Sequence, residues 1–268
     1  MENKLKKLML IEEENSEEVT EFLDSLRQGT MPINEDEEEF FKELELDSER
    51  YLDEEIDKLE DPEYKERDPS EEFLQNYCKE TKKKTIGVAI LSVDIVGSTK
   101  LSKRLPQEKY VKIISLFLRE VSQIVYNHHG YPLKYIGDEI IAYFPGPDTR
   151  GAHDNALFCA YSIKKYLLKI LRPLLMKRDL PEIDFRISLN SGTSMITVAG
   201  HHRSMQHFDL IGEPINVMKK IQSKAEINSI VVGQSAKSEA HKFWSTKTQE
   251  IICEDLDGIK IYKLNISV

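Results

Sequence analysis

At 268 residues and 40% hydrophobic content, the chain has room for one large domain, or a domain with an appendage, and can fill a true core. Its formal charge of −10 is lopsided: residues 1–80 hold 29 acidic against 10 basic side chains, and the remainder 18 against 27. Three scattered cysteines (Cys78, Cys159 and Cys253) exclude a disulfide framework and a thiolate zinc site. No long apolar run or signal-like start is present, so a cytoplasmic protein without a membrane span is expected.

The acidic first third carries helical spacing at residues 17–27, 37–46 and 48–59, with Val19, Phe22, Leu23 and Leu26 forming one stripe. Met31-Pro32 and the stretch from Asp61-Pro62 to Asp68-Pro69 interrupt it. Residues 1–83 therefore read as an acidic, helical or partly disordered appendage, suited to docking a protein partner. Residues 84–268 read as the main domain, mildly basic and so fitted to an anionic ligand.

Residues 86–93 form an almost unbroken apolar run, the pattern of a buried strand. A helix is predicted over 106–127, with Val111, Ile114, Leu116, Phe117, Val121, Ile124 and Val125 on its buried stripe. Two short strands, 131–136 and 139–144, follow. They are joined by Gly137-Asp138, and glycine first in a two-residue loop favours a tight hairpin. A second long helix is predicted over 152–177. Beyond it come a strand of period two at 183–190, a pairing of 195–198 with 207–211, a helix over 214–225, and strands at 230–233 and 260–264. This alternation predicts an α/β fold, an α+β sandwich with a ferredoxin-like βαββαβ core.

In such a core the first strand lies beside the hairpin that follows the first helix. Asp94, at the end of the buried strand, can then approach Asp138 at the hairpin tip. Two carboxylates on rigid strands can hold two Mg²⁺, with substrate phosphates completing the shells. The turn Gly97-Ser98-Thr99 offers small residues and free backbone N–H groups for phosphate. His128-His129 and His201-His202 read as loop residues, since neither pair has carboxylate or thiol partners at ligand spacing.

The strand ending in Asp94-Ile95-Val96-Gly97-Ser98-Thr99, then Lys134-Tyr135-Ile136-Gly137-Asp138, then Phe208-Asp209-Leu210-Ile211-Gly212, Asn216 and Lys220, resembles the class III nucleotidyl cyclases over about residues 84–264. The resemblance implies the ferredoxin-like cyclase core and two Mg²⁺ or Mn²⁺ per site, held by Asp94, Asp138 and the Ile95 carbonyl. It implies Lys134 and Asp209 as readers of the base, Asn216 as the ribose-orienting residue, Lys220 in the transition-state position and Arg186 as a phosphate contact. It further implies a nucleoside triphosphate substrate and a homodimer that shares residues between sites, with no nucleic acid or membrane partner. Two positions depart from the family pattern. Lys220 stands where the family has arginine, giving a point charge instead of a fork. Near the C-terminus, acidic Glu254-Asp255 precedes a Lys260 that is out of register with the family's phosphate lysine.

A lysine donor beside an aspartate acceptor matches the ring-nitrogen and amino edge of adenine and opposes that of guanine, so ATP is the expected substrate. Cytosine shows the same edge, which keeps a cyclic CMP cyclase, or a cyclic UMP one as in relatives from phage defence, as an alternative. A degenerate domain used for binding is the non-enzyme alternative. Diguanylate cyclases share a Gly-Asp-Glu hairpin, but the block from Phe208 to Lys220 has no place in them.

Overall fold

The computed structural model describes Leu46 and residues 69–146, 149–199, 207–253, 256 and 258–266, all within the unit Phe41–Val268. Apart from Leu46, the helices expected at 17–27, 37–46 and 48–59 lie outside the described residues, as do His201 and His202.

The centre is β1 (Thr85–Val96), whose middle is buried without a break. α2 (Ser98–Arg104) and the amphipathic α3 (Gln107–Asn127) follow it. The hairpin is β2 (Tyr131–Ile136) and β3 (Glu139–Pro145). Ile136 pairs with Glu139 across it, and Gly137 turns the chain with φ +66, the left-handed region glycine tolerates. α4 (Thr149–Tyr166) leads to β4 (Asp184–Ala199). β1 pairs antiparallel with both β3 and β4, and β2 antiparallel with β3. With α3 and α4 as the two crossovers, this is the expected βαββαβ core.

The sheet has eight strands. Beyond the core, β6 (Ser229–Gly233) pairs parallel with β4, reached through α6 (Glu213–Gln222), and β8 (Ile261–Leu264) and β7 (Thr248–Ile251) complete the edge. β5 (His207–Ile211) pairs with the far half of β4.

Three expectations change in detail. The strands expected at 183–190 and 195–198 are one strand of 16 residues, because β1 pairs with it from Asp184 to Met195 and overrides the weak propensity of Ser191-Gly192-Thr193-Ser194. The helix expected over 152–177 is rewound into a π turn at Leu167–Leu171 before resuming as α5 (Arg172–Lys177). Pro173 cannot donate to the carbonyl four residues back, and a local change of winding accommodates it. Two short helices, α7 (Gln234–Glu239) and α8 (Lys242–Thr246), and β7 are too brief for any periodicity to announce.

The face of the sheet that carries Ile86, Val88, Ile90, Ile141 and Tyr143 is covered by Met218 of α6 and Leu74 of α1 (Pro69–Thr81). α1 falls in the stretch read as an appendage, yet Leu74 is fully buried. Phe73 stacks on Tyr131 with ring centroids 4.9 Å apart, and Glu71 accepts a hydrogen bond from the Phe208 N–H at 3.3 Å. α1 thus bridges β2 and β5. Leu74→Ala removes a fully buried side chain and should lower unfolding stability by about 2–5 kcal/mol, read from the denaturant midpoint at unchanged slope.

Candidate active site

Alternation along β1 puts Ser92 and Asp94 on the same face as Ile86, Val88 and Ile90. Asp94 pairs directly with Arg186 of β4, and the register that sets Val93 opposite Ile140 brings the end of β1 alongside Glu139 and the turn. The fold therefore gathers Asp94, Asp138, Glu139 and Arg186 at one end of the central strands.

The electrostatics record this crowding. Burial pushes the Asp94 carboxyl up to about 6; the Asp138 and Glu139 carboxylates add to the rise, while Lys219 and Arg186 oppose it. Oδ2 of Asp138 and Nε of Arg186 are both buried without a hydrogen-bond partner. A native fold keeps such groups rarely, and at a ligand site they are the groups that the ligand satisfies. A carboxylate oxygen left bare beside a second carboxylate fits a divalent cation, and a bare guanidinium nitrogen fits an anion. The Asp94–Asp138 pair thus suits the expected cations, with Ile95 next in the strand; its side chain is buried, and only its carbonyl was expected to serve. Among the described residues, no three acidic, histidine or cysteine side chains converge as a ligand set.

Gly97 takes φ +77 at the start of α2, with no side-chain cap. The first N–H groups of a helix have no acceptor within it, so those around Ser98 and Thr99 remain available to an anion.

A second cluster forms away from these strand ends. Lys134 of β2 donates to Oδ2 of Asp209 in β5 at 2.9 Å. Oδ1 of Asp209 accepts the N–H of Leu210 at 2.8 Å, which fixes the carboxylate independently of the lysine. Asn216 and Lys220 are exposed on α6, one turn apart.

Sequence reasoning missed Lys219. Its Nζ donates to both oxygens of Glu139, at 2.6 and 2.5 Å, and ties α6 to β3. The period-two row Glu139, Ile141, Tyr143 was a usable signal, since it puts a carboxylate on a buried face that must hold a partner. His128 is structural: it caps the end of α3 and bonds Ser162 at 3.0 Å, and burial lowers its pKa to about 4.

Residues 80–265 match the model of the adenylate and guanylate cyclase catalytic domain. Uncharacterized protein Rv1319c of Mycobacterium tuberculosis is 32% identical over 131 residues, which are 48% of this chain and 22% of that protein. Uncharacterized protein Rv1318c of the same organism is 31% identical over 132 residues, again 48% and 22%. The chain thus matches only a minor part of these relatives' length. Among solved structures, the adenylyl cyclase CyaB from P. aeruginosa superposes with a TM-score of 0.60 at 20% identity, over 69% of this chain and 96% of that one. The guanylyl cyclase Cya2 gives 0.60 at 17% identity, over 68% and 98%. The guanylate cyclase domain of RhGC from Catenaria anguillulae, in complex with GTP, gives 0.58 at 20% identity, over 69% and 100%. At these identities the structures speak for the fold.

The raised pKa of Asp94 has a consequence for stability. A carboxyl held above its ordinary value in the folded chain costs stability when it ionises, and that cost is full above about pH 6 and fades as pH falls towards the ordinary carboxylate range. Asp94→Asn should therefore stabilise the metal-free chain at pH 8 by ~1 kcal/mol, discounted for a partly exposed group. Denaturant titrations at pH 8 and pH 4 should show the gain shrinking at the lower pH.

Proposed function

The chain belongs to the adenylate and guanylate cyclase catalytic-domain family, and on that premise we propose that it converts ATP to 3′,5′-cyclic AMP and pyrophosphate at sites shared by two copies of the chain. The observation that carries the proposal is the coupled pair Asp94 and Asp138, with a bare buried oxygen on Asp138 and a bare guanidinium nitrogen on Arg186 beside it.

In this reading Asp94, Asp138 and the Ile95 carbonyl hold Mg²⁺ or Mn²⁺. When bound, such cations acidify the ribose 3′-hydroxyl and neutralise phosphate charge. The chain's own groups do the rest. Arg186 and the N–H groups at Gly97, Ser98 and Thr99 receive the phosphates. The partner copy supplies Lys134 and Asp209 to the base and Asn216 to the ribose. Its Lys220 supplies positive charge near the α-phosphate as the 3′ oxygen bonds to phosphorus and the bond to pyrophosphate breaks.

Lys134 and Asp209 support ATP over GTP. The pair, bonded to each other in the free chain, offers a lysine donor for a ring nitrogen and an aspartate acceptor for an exocyclic amino group. Cytosine offers the same two groups, so cyclic CMP is the second reading. For the dimer, the support is an exposed apolar pair on one sheet face, Met195 of β4 and its cross-strand partner Ile211 of β5 (55% and 60% exposed). Tyr135 and Ile136 stand similarly exposed near the hairpin tip, and apolar side chains left in water in this number mark a contact surface.

Incubation of the purified chain and Mn²⁺ with ATP, GTP, CTP or UTP, with products identified by mass spectrometry, should give cyclic AMP from ATP. Absence of a cyclic product from all four, in a dimeric preparation, would sink the enzyme reading; cyclic CMP as the main product would replace the base assignment. Asp138→Ala should reduce turnover by at least about 100-fold while the thermal midpoint holds.

A further inference from the structure

Next to the proposed metal carboxylates lies a charged cluster that the mechanism leaves unused. Glu139 follows Asp138 directly, and strand register brings it alongside Asp94. It is 7% exposed. A third carboxylate in this position is a ready ligand for a divalent cation, yet both of its oxygens are taken. Oε1 accepts from Ser92 Oγ at 2.5 Å and from Lys219 Nζ at 2.6 Å, and Oε2 accepts from Lys219 Nζ at 2.5 Å. Gln222, one turn along α6, closes the cluster: its amide donates to Ser92 Oγ at 2.8 Å, and its carbonyl accepts from Lys219 at 2.9 Å.

We propose that Lys219 is a positioning residue that withholds Glu139 from the metal site and keeps it a two-carboxylate centre. The inference rests on the reading that Asp94 and Asp138 bind divalent cations.

Three observations carry it. Among the described residues no three-ligand set forms, although Asp138 in the turn directly precedes Glu139 of β3 and the register brings Glu139 alongside Asp94; both Glu139 oxygens are engaged by Lys219 instead. That engagement is a two-oxygen ion pair whose remaining hydrogen bonds are supplied by Ser92 and Gln222, so the buried charge is satisfied without a metal. The lysine is 42% exposed, so the pair sits at the rim of the site and its cation can be removed without opening the core. Affinity for a hard divalent cation rises with the number of charged oxygens offered. A site meant to release cations with each product turnover is served by two carboxylates, and a third would hold them.

The sign of the effect separates this role from simple support of the fold. Removing Lys219 leaves Glu139 uncompensated, and the nearest cation able to satisfy it is the metal. Removing the Glu139 charge leaves an ammonium facing Asp94, which repels a metal. Removing both restores the local balance.

Mn²⁺ binding to the full, nucleotide-free chain, followed by electron paramagnetic resonance and by calorimetry, tests this apart from turnover. Lys219→Met should tighten binding about tenfold, and Glu139→Gln should weaken it several-fold. Lys219→Arg and the double variant Glu139→Gln/Lys219→Met should stay within about twofold of the unmodified chain. Mn²⁺ binding that Asp138→Ala abolishes but Lys219→Met leaves unchanged or weakens would overturn the withholding role alone. If Lys219→Met does not fold, Glu139→Gln decides: binding as tight as in the unmodified chain, or tighter, overturns it. A chain that binds no Mn²⁺, or whose binding survives Asp138→Ala, overturns the metal-site reading and this inference with it.

Discussion

Everything at the candidate site depends on β1 being paired with β4 along its whole length and with β3 from Val88 to Val93. One flank fixes Asp94 against Arg186, and the other fixes the end of β1 against Glu139 and the turn. A slip of one residue in either ladder would turn Asp94 to the opposite face. The buried row Ile86, Val88, Ile90 forbids such a slip, because it would set those side chains against the wrong helices. The hydrophobic pattern of β1 is thus what sets the position of its last charged residue.

The same gathering carries an electrostatic cost. Three carboxylates at adjoining strand ends repel one another, and partial burial makes each charge dearer. The chain meets this with two cations, Arg186 from β4 and Lys219 from α6. Their roles differ. Lys219 is bound through two oxygens of Glu139, whereas Arg186 keeps a buried nitrogen without a partner. One cation belongs to the resting architecture, and in the proposed reading the other is left for the phosphates of the substrate.

Much of this was legible in the sequence because it is local. The turn is announced by Gly137-Asp138, the buried strand by its apolar run, and α3 by its stripe. The candidate residues sit at fixed offsets from those elements. What was illegible is set at long range. The unity of β4 comes from β1, whose paired residues lie 88 to 110 positions away in sequence. The place of α1 in the core comes from Tyr131, Tyr143 and Phe208 and not from its own acidic composition. Lys219 and Lys220 are adjacent lysines on α6; the approach of α6 to β3 is what gives Lys219 its carboxylate partner, and no spacing rule encodes it.

The Lys134–Asp209 pair raises a further point of physics. A donor and an acceptor already bonded to each other would oppose a ligand that needs both, unless one is held without the other. Asp209 is held in that way: its Oδ1 is anchored by the Leu210 N–H, so its orientation survives loss of the lysine. Lys134 is about a third exposed and can swing with little desolvation, whereas Asp209 is more enclosed and stays. In the proposed reading a base amino group takes the place of the ammonium at Oδ2, and the lysine turns to the neighbouring ring nitrogen. One charge-assisted bond is exchanged for two hydrogen bonds to the base. A base presenting a carbonyl at that place would face a fixed carboxylate oxygen, so the selectivity lies in the immovable partner of the pair.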